Sequence, residues 1–365
     1  MLKPFVASWN NTGVNDYLSN RIAAQLHVEA LASRPVLLYL NGEYWGVYYI
    51  HERPDEHFLE DHLGVNIENV NLICGWTPCV DYGTSIHFVD LYHWFQNANL
   101  TDPLDYEWVN GKIDISSFID YQILELFLEN TDWPANNMRC WQEGDGLWRW
   151  IFFDGDACIR WVTYQAFENA VYEGDDTWPS STSATLFFRK LLDNNDFRDR
   201  FNARFQELLS TAFDYANTGP MFEEIKNTLA PEIPFQAERF GIPADVQTWN
   251  TYMGHTNWFL MRRCMGIEPV LEDFMNHWCI VEQGGDMSAS CEVFPNPSSG
   301  PVTVQLYTNQ GKTASYQVFD VMGRLVYTQT LDLNAGLNTM TFHLPLSPGL
   351  YYMKIDSTVT KIILQ

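Results

Sequence analysis

The hydrophobic period changes once along the chain, and that change limits the fold more than any other feature. Up to His277, apolar residues recur largely at helical spacing, interrupted by two hairpin-like segments. From Val302 onward they alternate in short runs, VTVQLY, ASYQVFDV, RLVYTQTL, TMTFHL, YYMKID and VTKIIL, divided by turns at Asn-Gln-Gly, Met-Gly, Asn-Ala-Gly and Ser-Pro-Gly. Between them, CIVEQGGDMSASCEVFPNPSSGPV is rich in Gly, Ser and Pro and reads as a linker. At 365 residues the chain exceeds the usual size of one domain. The expected layout is an α+β domain over 1–279, a linker over 280–293 and a small immunoglobulin-like β-sandwich over 294–365.

The net charge is -25, from 46 acidic and 21 basic residues. Such a balance excludes partners held by a phosphate backbone, so neither nucleic acid nor an anionic membrane surface is expected. No stretch approaches the ~20 apolar residues that span a bilayer. The opening MLKPFVASWNN lacks the basic-then-apolar design of a signal peptide, which taken alone would place the protein in the cytoplasm. The seven cysteines are scattered without C-x-x-C spacing, which argues against a zinc cluster. Cys74 and Cys79 bracket a Gly-Trp-Thr-Pro loop and could close a disulfide in an exported protein, Cys140 and Cys158 could do so across a hairpin, or the thiols stay free.

Several local elements are readable. Phe5 and Val6 suggest a strand, and Val14, Tyr17, Leu18, Ile22 and Leu26 suggest a helix within 14–32. RPVLLYLNGEYWGVYYIHE, over Arg34–Glu52, is two apolar runs joined by Asn-Gly, a strong hairpin signal. Helices are expected over Glu52–Leu63, 85–99 and 113–129, the last with Asp114 as its N-cap.

The chemistry concentrates between Asn130 and Ile159. Asp132 and Asn137 stand in a D-x-x-x-x-N step, and the aromatic run WRWIFFD ends in Asp154, followed by Asp156. Carboxylates at the end of such a strand are costly to bury unless paired or bound to metal. Phosphoryl transfer to a hydroxyl requires a carboxylate to orient the acceptor, with an amide oxygen and a second carboxylate to hold the metal ions. The plainer alternative is a polar turn whose Asp residues cap loops.

The segments FPNPSSG, FDVMGRLVY, LSPGLYYMKI and the terminal TKIILQ together resemble the C-terminal sorting domain of type IX secretion substrates. That resemblance implies the type IX machinery as a partner, export, and a secreted or outer-surface location. The absent signal peptide then points to a start truncated upstream. The preceding part resembles the CotH kinase family, atypical protein kinases of the spore-coat type, through YLNGEYWGVYYIHERPDEHFL, NTDWPANN and FFDGDA. It implies a kinase-like domain, N-terminally truncated here, that uses ATP with Mg²⁺ or Mn²⁺. Asp132 would be the catalytic carboxylate, and Asn137, with Asn136, and Asp154 would hold metal. Asp156 would bind metal or orient, while Glu52 and Arg53 would lie near the nucleotide hinge.

Two family features are missing. Ser8 stands where an Arg is expected and Asn20 where an Asp is expected, so Lys3 or Arg21 would have to substitute toward the nucleotide. The leading expectation is an exported kinase acting on Ser or Thr of extracellular or surface proteins. The alternative is a degenerate kinase fold serving as a surface binding or matrix protein, with Trp76, Trp133, Trp161 and Trp178 as candidate sugar platforms. A metal-dependent phosphohydrolase using Asp154 and Asp156 ranks below both, because the nine His residues avoid the acidic cluster in sequence.

Overall fold

The computed structural model describes residues 1–4, 12–76, 79–160, 165–174, 178–282, 292–294, 298, 301–308, 311–320, 324–334, 336–355 and 358–364. The expectations for Phe5, Val6, Ser8 and Trp161 lie outside these. The backbone divides into two compact units, Met1–Met275 and Asn276–Gln365.

The first unit opens with β1 (Leu2–Lys3), α1 (Asn15–Ala23), β2 (Glu29–Ala30), β3 (Ser33–Leu40), β4 (Glu43–His51) and α2 (Glu56–Leu63). The hairpin of β3 and β4 forms as the Asn-Gly signal predicts. Asn41 and Gly42 both take positive φ, 52° and 85°, and Leu40 pairs with Glu43 across the two-residue loop. β1 joins the other side of β4 with Lys3 opposite Tyr49, which makes a three-stranded sheet in the order β1-β4-β3.

Next come β5 (Val70–Cys74), β6 (Cys79–Tyr82), α3 (Ile86–Asn97), α4 (Pro103–Asn110), α5 (Ile115–Leu128), β7 (Arg139–Glu143) and β8 (Arg149–Phe152). The acid-bearing hairpin of β7 and β8 is thus not isolated. It lies inside a five-stranded sheet ordered β2-β8-β7-β5-β6, in which only the β2–β8 pairing is parallel. The helix expected within 14–32 stops at Ala23. Side chains intercept the amides beyond it: Asp120 accepts from His27 N–H at 2.7 Å and Asn20 from Leu31 N–H at 3.1 Å.

α5 begins where Asp114 Oδ1 caps the amides of Ser116 and Ser117. Phe118, Ile123, Leu124, Leu126 and Phe127 are all fully buried, because the helix is apolar on nearly every side. It ends at Glu129, whose φ of 52° turns the chain toward Asp132. Helices α6 (Gln165–Ala170), α7 (Thr182–Leu192), α8 (Asn195–Leu209), α9 (Tyr215–Leu229) and α10 (Ile233–Phe240) follow, and α11 (Val246–Glu282) begins in this unit and runs past its end at Met275. Arg263 of α11 is buried against α5: it donates to the Leu126 and Phe127 carbonyls and to Glu129 Oε2 at 2.6 Å.

The second unit contains β9 (Glu292–Phe294), β10 (Val302–Thr308), β11 (Lys312–Asp320), β12 (Leu325–Leu333), β13 (Gly336–Phe342), β14 (Gly349–Ile355) and β15 (Thr358–Leu364). They form antiparallel sheets ordered β13-β10-β9 and β12-β11-β14-β15. Val302 and Val304 of one sheet share a buried cluster with Tyr316, Val318, Met353 and Ile362 of the other. The predicted strands are all present. Among the described residues, no helix is long and apolar enough to cross a membrane.

Candidate active site

α1 and the end of β8 are locked together. Asn15 Nδ2 donates to the Cys158 carbonyl at 2.7 Å, and the Gly155 N–H donates to Asp16 Oδ1 at 2.8 Å. Gly155 opens a short 3₁₀ turn, Gly155–Ala157, and a Cβ there would stand 2.9 Å from both Ser19 Cβ and the Phe152 ring. Glycine is therefore what lets α1 approach this turn. Asp154, immediately before it, has φ 58°, and Asn137 has φ 55°. Non-glycine residues rarely adopt this region, although Asn and Asp tolerate it best. Of five non-glycine residues with positive φ among those described, Glu129, Asn137, Asp154 and Ile159 all border this region, the clustering expected where backbone strain serves a site.

The centre of the site is the Lys3 ammonium. Lys3 Nζ lies 2.7 Å from Asp16 Oδ2 and 2.6 Å from Asp154 Oδ1, which joins β1, α1 and the end of β8. His51, buried at the end of β4, places Nε2 3.1 Å from Asp16 Oδ2 while its Nδ1 meets the Glu52 carbonyl oxygen at 2.8 Å. Burial alone would raise the Asp16 pKa. The His51 ring and the Lys3 charge overcome that and bring it down to about 2. For Lys3, burial pulls the pKa down, but the two carboxylates outweigh it and raise it.

Asp132 stands at the start of the loop after α5. Burial is the main cause that pushes its carboxyl above the ordinary range; Asp154 adds to this and Arg160 opposes it. Asn137 closes the loop, and its Nδ2 donates to the Asp154 carbonyl at 3.4 Å, which leaves its amide oxygen available. Asp132, Asn137 and Asp154 thus belong to one cluster. Asn136 is exposed and donates its N–H to the Asp132 carbonyl at 3.2 Å. Asp156 is buried within the 3₁₀ turn at 4% exposure, whereas the Asp154 side chain is 38% exposed. Glu52 is engaged by His62 Nε2 at 2.7 Å and by the Ala32 N–H at 2.7 Å, and Arg53 is an exposed side chain 3.9 Å from Asp55.

The available donors are carboxylate and amide oxygens, which suit a hard divalent cation such as Mg²⁺ or Mn²⁺. Asp154, whose side chain is 38% exposed, and the Asn137 amide oxygen supply donors of this kind, so the residues fit a metal here. Another close grouping, Cys74, Cys79 and Asp81, does not fit one. Its thiols form a disulfide, and Asp81 is held by Arg139 at 2.6 Å. Cys140 and Cys158 are both free and buried, so the second candidate disulfide does not form.

Of the two substitutes considered for the missing phosphate-side residues, Lys3 is at the site and Arg21 pairs with Glu224 on the surface. Asn20 is buried and structural, with Nδ2 on Asp16 Oδ1 at 3.0 Å. One turn earlier on the same helix, Asp16 does present an acid to Lys3. Sequence reading missed Asp16 and His51. His51 looks like a lone strand histidine, but its burial beside Asp16 sets it apart from surface residues such as His57. Trp76 and Trp133 are buried, which removes them as sugar platforms, while Trp178 is 66% exposed.

No curated protein matches the chain. A family model described as CotH kinase protein matches residues 8–265, and one described as secretion system C-terminal sorting domain matches residues 292–365. The second match implies export by a dedicated secretion machinery to the cell surface or beyond. The first spans well over half of the chain, reaches every residue of the Asp16, Asp132, Asn137 and Asp154 cluster, and establishes that the chain belongs to the CotH kinase family.

Proposed function

We propose that the first unit is an ATP-dependent protein kinase that phosphorylates Ser or Thr hydroxyls of extracellular or surface proteins, and that the second unit, read as an immunoglobulin-like sandwich, addresses it for type IX export. The observation that carries this reading is the Lys3 ammonium held between Asp16 and Asp154. A strand lysine paired with a helix acid, beside a metal-type aspartate, is the arrangement that kinases need to hold a nucleotide polyphosphate.

Mg²⁺ or Mn²⁺ bound with ATP would neutralise the phosphate charge as transfer proceeds. Asp154 and the Asn137 amide oxygen, with Asn136 in support, would hold it. Asp156, being buried, would orient the turn. Lys3 would bind the polyphosphate while Asp16 keeps the ammonium charged and in place. The Asp132 carboxylate would accept a hydrogen bond from the acceptor hydroxyl and take its proton. Glu52 and Arg53, at the exit of β4, would border the nucleotide base.

Incorporation of labelled phosphate from ATP into a generic acceptor tests the reading, together with thermal shift by ATP and Mg²⁺. Asp132→Asn should abolish incorporation and keep the nucleotide-dependent stabilisation; Asp154→Asn should abolish both. Wild-type incorporation in either variant would refute the assignment. A complete lack of ATP-dependent stabilisation in the native protein would favour the binding-protein alternative.

A further inference from the structure

α5 carries a buried acid that the proposed mechanism leaves unused. Glu125 is fully buried, and its Oε2 accepts a hydrogen bond from Asn130 Nδ2 at 2.8 Å. Asn130, at 1% exposure, also donates its N–H to the Glu125 carbonyl at 3.3 Å. The Asn130 Oδ1 in turn accepts the backbone N–H of Asp132 at 3.1 Å. A relay of two hydrogen bonds therefore runs from the last turn of α5 to the backbone of Asp132. Beside this relay the Tyr121 and Trp133 side chains are also buried, Trp133 being the residue after Asp132.

We propose that Glu125 is the positioning residue of this loop: its carboxyl fixes the Asn130 amide, and through it the backbone turn that aims Asp132. The inference rests on the kinase reading for the role of Asp132, but not for the relay itself. A buried acid left ionised among apolar groups would be costly. Here burial raises the Glu125 pKa to about 8, against the pull of Asn130 and Tyr121, which favours the uncharged acid at neutral pH. An uncharged acid and a glutamine present the same acceptor to Asn130. Leucine keeps the volume and removes that acceptor, leaving a buried amide without its partner.

The test compares Glu125→Gln, Glu125→Leu and Asn130→Ala in the full chain, with kcat and KM for ATP in the presence of Mg²⁺ and hydrogen exchange at the Asp132 amide. Displacing a reacting group by about 1 Å can cost on the order of 100-fold in rate. Glu125→Leu and Asn130→Ala should therefore lose roughly 10- to 100-fold in kcat, with KM for ATP within about twofold and faster exchange at Asp132. Glu125→Gln should stay close to wild type in all three. Equal damage from Gln and Leu, or an unchanged Asp132 amide in both Leu and Ala variants, would overturn the proposal. Should the native protein show neither incorporation nor ATP-dependent stabilisation, the kinase reading fails by itself, and the exchange comparison still decides the relay.

Discussion

Asp16→Asn isolates the electrostatic core of the site. The carboxyl falls from 3.8 to about 2, which at about 1.4 kcal/mol per pH unit corresponds to roughly 2 kcal/mol of stability at neutral pH. Because the folded value lies below the unfolded one, this contribution is fully present above about pH 4 and fades as pH falls through about 2. Asparagine keeps the shape and can still accept the Gly155 N–H, but it offers no charge to Lys3 or His51. Urea denaturation of wild type and variant at pH 7, 5, 3 and 2 should give a difference of roughly 2 kcal/mol at the two higher values, shrinking toward zero at the lowest. At pH 2, close to its own folded pKa, about half of Asp16 is protonated and presents Lys3 with a neutral group much as asparagine does, while any purely steric penalty would remain there. A difference that is absent at pH 7, or that persists undiminished at pH 2, would refute the ion-pair account.

The raised Asp132 carboxyl must be ionised to accept a proton, so kcat/KM should rise with pH through an acid limb lying above 3.8; a limb at or below that value would contradict the assigned environment. Cys74→Ser with Cys79→Ser opens the short loop between β5 and β6 and should cost about 2 kcal/mol by the chain-entropy model, read as a lower urea midpoint. Breaking the buried pair between Arg263 and Glu129 by Arg263→Met should cost about 3–5 kcal/mol, since Glu129 loses its buried cation and two α5 carbonyls lose a donor. A loss of less than about 1 kcal/mol would mean that α11 does not brace the end of α5.

What was legible in the chain was whatever local chemistry alone decides. Asn41-Gly42 can hardly be anything but a tight hairpin turn, Asp114 followed by an apolar helix is a cap, and the alternating runs after Val302 have no other use than strands. β5 and β6 were not legible. VNLIC is too short an apolar run to declare itself, and the Cys79–Tyr82 strand lies at a sheet edge with largely exposed residues. The end of α1 was misplaced for a related reason. The apolar period continues to Leu26, while the chain is turned by acceptors on Asp120 and Asn20, of which the first is far away in sequence.

The site divides along the same line. Asp132, Asn137 and Asp154 lie within one short stretch whose spacing suggests the chemistry, so they could be read together. Lys3, Asp16 and His51 reach the cluster from three other elements, and nothing in their neighbours advertises a shared ion pair. Nor does the net charge of -25 reveal it. At physiological ionic strength, interactions between exposed charges are screened beyond about 8 Å, so most of the surface acids are weakly felt at Asp154. What governs the site is the small set within hydrogen-bonding range, where one lysine is shared by two aspartates. On the proposed reading, a chain with so many acids would still hold a polyphosphate because the lysine is fixed by strand pairing at β1 and kept charged by its two aspartates, while Asp154 stays more than a third exposed.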